Sequence, residues 1–141
     1  MVFVGGPRQV GKTTMCSWIG SQYSDYIYLD YDIDESRKVI VKKLWRKNIP
    51  LVVFDELHKM DVWKRWIKGE YDSKNKSQQF LVTGSARLDV YQKGGDSLLG
   101  RYIYWRLHPI TIDELPSDIE LEDGYERLLQ LAGYLLLKKC I

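Results

Sequence analysis

The chain lacks any long apolar run: no stretch of its 141 residues reaches the roughly 18 apolar residues that a membrane-spanning helix needs. Cysteine is scarce, and Cys16 and Cys140 have no metal-ligand spacing, so we expect a reducing, cytoplasmic setting rather than a zinc site. Strand-like residues follow Met1 at once, rather than a charged segment and an apolar segment, so we expect no signal peptide. The formal net charge of +2 is too close to balance to indicate a nucleic-acid partner by itself.

The residues that are present are enough to build one folded domain. Hydrophobic residues make up 45% of the chain and charged residues 28%, a composition that excludes a disordered protein. The length is that of a single domain, and the sequence contains neither an internal repeat nor a low-complexity segment.

The most informative stretch is Gly6–Thr13, which reads G-x-x-x-x-G-K-T. A short apolar run precedes it and helix-like residues follow it, and this strand–loop–helix context favours a phosphate-binding loop over a chance match. The glycines let the backbone bend so that successive N–H groups point at phosphate oxygens. Lys12 would reach the β- and γ-phosphates, the Thr13 hydroxyl would bind Mg²⁺, and the positive end of the helix would add to the attraction.

A pair of acidic residues ends a predicted buried strand. Leu51–Phe54 is a run of four apolar residues, typical of a strand buried on both faces, and Asp55 and Glu56 follow it. Ligands of open α/β sheets bind at the carboxyl ends of the strands, so Asp55 should lie beside the phosphate-binding loop. Asp55 would hold Mg²⁺ through water, and Glu56 would orient and polarise an attacking water. His58 could contact phosphate or relay the state of Glu56, although a structural role is commoner for a lone histidine.

Small polar residues end the predicted strand Gln79–Ser85. In a sheet of this kind they would lie between the metal carboxylate and the phosphate-binding loop, so Thr83 or Ser85 could hydrogen-bond the γ-phosphate or the attacking water. Ser85 is also well placed to cap a helix beginning near Ala86, and the two roles are compatible. Arg87 could bring positive charge to the same edge.

Arg101 follows a glycine and precedes a fifth predicted strand, Tyr102–Leu107, on what should be an exposed corner. An arginine there could reach the γ-phosphate of a neighbouring subunit, a contact that contributes roughly 10³–10⁵ in rate to phosphoryl transfer. The alternative is a surface arginine that pairs with Asp96.

Helical patterns alternate with the strands. They predict helices from about Lys12 to Tyr23, from Asp32–Glu35 to about Asn48, from about Val62 through Glu70, and near Arg87–Lys93 and Tyr125–Leu131. The first helix would bury Met15, Ile19 and Trp18, and the second would bury a stripe of Ile40, Val41, Leu44 and Trp45.

The opposite face of the second helix is basic. It could contact nucleic acid or an acidic partner, but no aromatic platform accompanies the charges, so we favour a solvated helix face. Its cationic residues are Arg37, Lys38, Lys42, Lys43, Arg46 and Lys47.

Together these segments resemble the AAA+ superfamily of P-loop ATPases, and among them prokaryotic AAA-type ATPases with a C-terminal domain of the DUF4143 type. The resemblance covers roughly Val2 to Leu115 and rests on six segments in the right order: GPRQVGKTT, YLDYD, LVVFDELHK, FLVTGSARLDVY, GGDSLLGRY and LHPITIDEL. It implies a parallel sheet of strand order 5-1-4-3-2, ATP and Mg²⁺ as ligands, and a homo-oligomer in the intact parent protein. It assigns Walker B to Asp55 and Glu56, sensor 1 to Ser85 and an arginine finger to Arg101. It assigns Walker A to Gly6, Pro7, Arg8, Gln9, Val10, Gly11, Lys12, Thr13 and Thr14.

We therefore expect an α/β fold, a three-layer α/β/α sandwich around a parallel five-stranded sheet. Residues 1–115 would form the P-loop ATPase core, and residues 116–141 a linker and the start of a truncated helical lid. The segment that precedes the first strand in such proteins, most of the lid and the C-terminal domain are missing. We therefore expect the chain to be a core fragment of a longer protein.

The expected function is to bind ATP with Mg²⁺ and, in an intact assembly, to hydrolyse it. Glu56, Lys12, Ser85 and Arg101 would act in the reaction. A GTPase is disfavoured because the N-K-x-D guanine motif is absent, and a small-molecule kinase would not need the acidic pair. The serious alternative is a nucleotide-gated binding module that signals without efficient turnover.

Overall fold

Strands and helices alternate along the chain in the computed structural model, which describes residues 1–85, 98–115, 118–120, 122–124 and 126. The strands are β1 (Val2–Gly5), β2 (Tyr26–Asp30), β3 (Leu51–Asp55), β4 (Gln79–Gly84) and β5 (Ile103–Arg106). The α-helices of these ranges are α1 (Lys12–Ser21), α2 (Asp34–Lys42) and α3 (Trp63–Ser73), and short 3₁₀ turns cover Leu57–Lys59 and Ile112–Glu114.

The five strands form one parallel sheet of order β2-β3-β4-β1-β5. The predicted α/β class and the strand order 5-1-4-3-2 are therefore confirmed. β1 lies between β4 and β5, and β3 lies between β2 and β4. Because all strands run the same way, the carboxyl ends of β1, β3 and β4 meet at one edge, where the loops that follow these strands are brought together.

Alternation along β3 divides the core into two faces. Leu51 and Val53 pack with Cys16 of α1 on one face. Val52 and Phe54 pack on the other face with residues of α2 and α3. All five residues of β3 are buried, as the continuous apolar run predicts for a central parallel strand. Helices on both faces of the sheet give the three-layer sandwich.

Phe54 is the centre of an aromatic cluster on the face covered by α2 and α3. Its ring centroid lies 5.4 Å from those of Trp45, Trp66 and Phe80, each in an edge-to-face arrangement. Full burial of such a ring contributes about 1.5–3 kcal/mol, and each edge-to-face pair adds about 0.5–1.5 kcal/mol. This packing anchors the end of β3 and so fixes the backbone at Asp55.

The second helix ends earlier than predicted, at Lys42 rather than near Asn48. Lys43 adopts a left-handed conformation with a φ of 58°, and the N–H of Leu44 donates to the Val39 carbonyl across 3.0 Å. These features form a helix-closing motif in which glycine usually occupies the left-handed position. Because Lys43 occupies it here, the end of the helix could not be predicted from the sequence.

The predicted apolar stripe of this helix was correct at two positions and wrong at two. Ile40 and Trp45 are buried, whereas Val41 and Leu44 are 55% and 66% exposed. The reason is that the chain turns back after Lys43, so that Trp45 enters the aromatic cluster from outside the helix. Tertiary packing of one large ring here prevails over helical periodicity.

Other predicted boundaries shift by a few residues. The first helix ends at Ser21 instead of Tyr23, and its Trp18 is 48% exposed rather than buried. The third helix continues to Ser73. The helix predicted near Arg87–Lys93 lies outside the described residues, as does most of that near Tyr125–Leu131. Within the described ranges, no helix combines the length and apolar character needed to cross a membrane.

Several of the basic side chains in and after α2 are paired with acids. Arg46 lies 2.6 Å from Asp25, and Lys43 and Lys47 lie 2.5 Å and 3.3 Å from the two carboxylate oxygens of Glu70. The Glu70 side chain is only 4% exposed, so these two lysines neutralise a buried charge. The pairing favours a structural role for these cations over a nucleic-acid interface.

Candidate functional site

The glycine-rich loop joins β1 to α1 at the carboxyl edge of the sheet. Gln9 and Gly11 have φ angles of 64° and 88°, left-handed conformations that bend the loop back toward the start of α1. A Cβ on Gly6 would lie 2.3 Å from the carbonyl oxygen of Leu107, so only glycine fits where the loop passes the end of β5. Lys12 and Val10 are buried in the loop, whereas Pro7, Arg8, Gln9, Thr13 and Thr14 are exposed.

Lys12 points back into its own loop. Its Nζ donates hydrogen bonds to the carbonyl oxygens of Gly6 at 3.1 Å and Pro7 at 2.6 Å. Burial lowers the pKa of Lys12, and the negative charges of Glu56 and Asp55 oppose that shift. Phosphate oxygens are charged acceptors and bind an ammonium more strongly than neutral carbonyls do. The lysine is therefore placed to exchange its loop contacts for a phosphate.

A hydrogen bond links the loop to the acidic end of β3. The Thr13 hydroxyl donates to Asp55 Oδ2 across 3.0 Å. Because its proton is directed at Asp55, the lone pairs of the Thr13 oxygen stay available for a metal ion. Lys12 begins α1 directly after the loop and Glu56 follows the last residue of β3, so all four residues lie at the same edge.

The donor set fits Mg²⁺. Mg²⁺ prefers oxygen ligands and is usually held by one or two carboxylates together with substrate phosphates and water. Thr13 and Asp55 supply a hydroxyl and a carboxylate of this kind. In the described part of the chain, no group of three or more His, Cys, Asp or Glu side chains could hold a metal ion by itself. Water and substrate phosphates usually supply the remaining ligands of an Mg²⁺ ion held by so few protein groups.

Asp55 is held in place by further donors. The Tyr28 hydroxyl donates to Oδ2, the Thr83 hydroxyl donates to Oδ1, and the backbone N–H of Glu56 donates to Oδ1 at 2.9 Å. Asp55 is only 4% exposed. With Thr13, four donors fix the orientation of this carboxylate. Thr83, one of the two polar residues predicted to reach a phosphate, is thus hydrogen-bonded to Asp55.

Sequence reasoning missed Tyr28. Burial is the main cause that raises the pKa of Tyr28 far above its ordinary value, and the hydrogen bond to Asp55 is the second. The hydroxyl therefore keeps its proton and acts as a donor. Tyr28 pairs in register with Val53 of β3, two residues before Asp55. The signal was a tyrosine in the middle of β2, and its role can be inferred only once β2 is known to lie beside β3.

Glu56, His58 and Ser85 form a second group at the same edge. Glu56 begins the turn after β3 with a φ of 53°. Its Oε2 lies 3.5 Å from Lys59 Nζ and 3.7 Å from His58 Nε2. The same His58 nitrogen lies 3.2 Å from the Ser85 Oγ at the end of β4. The ends of β3 and β4 are therefore connected through one imidazole.

Arg101 does not join this group. It precedes β5 and so lies at the opposite, amino edge of the sheet, where its guanidinium contacts Asp72 at 2.8 Å and 3.3 Å. That hydrogen bond raises the pKa of Arg101 and lowers the pKa of Asp72. The predicted partner Asp96 lies outside the described residues, as does Arg87, and the pairing that the structure gives is with Asp72.

No curated protein matches the chain. A family model described as an AAA domain matches residues 1–116, a range that contains the glycine-rich loop, the acidic end of β3, Ser85 and Arg101.

Proposed function

The chain belongs to the AAA domain family of P-loop ATPases, and from this premise we propose that it binds ATP with Mg²⁺ and hydrolyses it. The observation that carries the proposal is the 3.0 Å hydrogen bond between Thr13 and Asp55, because it brings the loop and the acidic pair to one edge of the sheet. A nucleotide with its metal needs both parts within reach of the same phosphates.

ATP and Mg²⁺ would be bound by the glycine-rich loop and the end of β3. Backbone N–H groups of Gly6–Thr14 would cradle the phosphates, and Lys12 would contact the β- and γ-phosphates. The Thr13 hydroxyl would hold Mg²⁺ directly, and Asp55 would hold it through water. When bound, the metal would neutralise the charge that develops on the phosphate oxygens.

Hydrolysis of the bound ATP would depend on Glu56 and the residues around it. Glu56 would orient a water for in-line attack, and Ser85 would hydrogen-bond the γ-phosphate or that water. Lys12 and the loop N–H groups would stabilise the charge that accumulates on the phosphates during transfer. Each of these side chains lies at the carboxyl edge of the sheet, which supports their joint action.

A second candidate is a nucleotide-gated binding module without efficient turnover. The ion pair of Glu56 with Lys59 favours it, because it engages the carboxylate that hydrolysis would need for positioning water. The two candidates share the binding site and differ only in the last step.

Titration of the chain with MgATP, followed by a single-turnover assay of phosphate release, tests the proposal. We expect one nucleotide per chain and release of phosphate when chains are concentrated enough to associate. Binding without release under all conditions would favour the second candidate. Absence of binding at millimolar MgATP would contradict both.

We further propose that Arg101 acts on the nucleotide of a neighbouring subunit. Its position at the amino edge, away from Lys12 and Asp55, supports action in trans, in a homo-oligomer. We expect Arg101→Ala to leave MgATP affinity unchanged and to lower the rate of hydrolysis by about 10³–10⁵ under associating conditions only. The comparison is steady-state turnover across a range of protein concentrations.

Asp72→Asn is the matched control for that substitution, because it removes the observed ion pair while it keeps the arginine. We expect this variant to retain turnover. Loss of nucleotide binding in Arg101→Ala would instead show that the arginine acts within its own subunit.

The proposal includes the organisation of the chain. Residues 1–115 would be the ATPase core, and residues 116–141 a linker and the start of a helical lid. We also propose a cytoplasmic setting, in which Cys16, a buried free thiol of α1, would stay reduced.

A further inference from the structure

His58 lies between the two strand ends that the proposed reaction uses. Its side chain is only 10% exposed. It belongs to the 3₁₀ turn that follows β3, and the N–H of Lys59 closes this turn by donating to the Glu56 carbonyl at 3.0 Å. The backbone of Glu56 and that of His58 are thus held in one tight turn, and side-chain rotation is the simplest way to change the distance between their polar atoms.

Ser85 and Glu56 both approach the same imidazole nitrogen. Nε2 of His58 is 3.2 Å from Ser85 Oγ, within hydrogen-bond range, and 3.7 Å from Glu56 Oε2, just beyond it. A serine nucleophile with a histidine base and an orienting carboxylate would need two different ring nitrogens. The geometry therefore argues against a hydrolytic Ser-His-Glu triad, although the three residue types are present.

In the tautomer that carries its proton on Nε2, this nitrogen can donate its single N–H to only one of the two oxygens at a time. The Ser85 and Glu56 contacts are therefore alternatives. Lys59 also lies near the Glu56 carboxylate, at 3.5 Å, and its 38% exposed side chain shares its charge between Glu56 and Asp32.

We propose that His58 is a positioning residue that couples Ser85 to Glu56 through this shared nitrogen. The inference rests on the proposed ATPase function. When the Ser85 hydroxyl turns to a γ-phosphate, Nε2 is released to donate to Glu56 and holds that carboxylate in the orientation that positions water. Without a γ-phosphate, Ser85 retains the imidazole and Glu56 keeps its ion pair with Lys59 instead. The chain thereby links recognition of the triphosphate to assembly of the catalytic group.

Nuclear magnetic resonance of the imidazole tests this coupling without turnover. The chain has two histidines, so a His108→Gln background leaves His58 as the single ring signal. Long-range ¹H–¹⁵N correlations report the protonation and hydrogen bonding of each ring nitrogen. We expect a non-hydrolysable ATP analogue with Mg²⁺ to shift the Nε2 resonance, and ADP with Mg²⁺ to leave it near its free value.

Ser85→Ala and Ser85→Thr are the matched pair for this experiment. We expect the alanine variant to bind the analogue, as monitored by the ³¹P resonances of the same sample. Its Nε2 resonance should no longer differ between the ATP analogue and ADP. The threonine variant, which keeps the hydroxyl, should retain this difference. An analogue that binds while the wild-type His58 resonances stay unchanged would overturn the coupling alone. No binding would overturn the proposed function and the coupling with it.

Single-turnover rates of His58 variants provide a second test of the positioning role. Glutamine can place an N–H donor close to the position of Nε2, so we expect His58→Gln to keep most of the single-turnover rate. His58→Leu removes the donor and should lower the rate by about 10²-fold, the scale of a misplaced catalytic group, with MgATP affinity unchanged. Equal rates in the two variants would overturn the positioning role, because a merely structural role would not distinguish a retained N–H donor.

Discussion

MgATP binding should be lost, or weakened by about 30- to 4,000-fold, when Lys12 is replaced by alanine. The expected size is that of removing one partner from a buried, hydrogen-bonded charge pair, about 2–5 kcal/mol. Lys12 is 8% exposed and its Nζ already lies inside the loop, bound to the carbonyls of Gly6 and Pro7. Calorimetric titration with MgATP measures the change directly.

The matched control is Lys38→Ala, which removes the same charge from an exposed position on α2. It should leave the affinity unchanged, and circular dichroism of both variants should match the wild type. If Lys12→Ala binds MgATP as tightly as the wild type, the glycine-rich loop is not the phosphate site.

The second large effect is on the chemical step. We expect Glu56→Gln to keep MgATP affinity and to lower the single-turnover rate by about 10²–10⁴, the usual contribution of a positioned general base. Glutamine has the shape of glutamate but cannot accept a proton from water. The measurement is phosphate release after rapid mixing, at concentrations where subunits associate.

Glu35→Gln, at an exposed position in the first turn of α2, is the control for this substitution and should hydrolyse ATP at the wild-type rate. If the wild type and Glu56→Gln are equally inert even as oligomers, the catalytic assignment fails. The binding assignment would survive, and the nucleotide-gated module would become the better description.

The sequence predicted the parts of this molecule that depend on local pattern. A continuous apolar run identified β3 as a central strand, and all five of its residues are buried. The loop Gly6–Thr13 and the acids Asp55 and Glu56 are contiguous motifs, so their approach followed from the parallel arrangement of the strands. The hydrogen bond from Thr13 to Asp55 agrees with that expectation.

The parts that were missed depend on contacts between segments distant in sequence. Tyr28 supports Asp55 only because β2 lies beside β3. Trp45 leaves the helical pattern because its ring completes a cluster with Phe54. The partner of Arg101 is Asp72, whose place at the end of α3 no local pattern specifies.

In the proposed function, the glycine-rich loop and Asp55 act on a single nucleotide and its metal. The most direct measurement is calorimetric titration with ATP, in excess Mg²⁺ and in EDTA, for the wild type and Asp55→Asn. Asparagine retains an acceptor oxygen, which can serve Thr83 and the Glu56 N–H, but it loses the negative charge.

We predict that Mg²⁺ strengthens ATP binding in the wild type and that Asp55→Asn reduces this gain by about 10- to 100-fold, as expected for a group that holds a metal through water. An equal gain from Mg²⁺ in both proteins would show that Asp55 does not hold the metal.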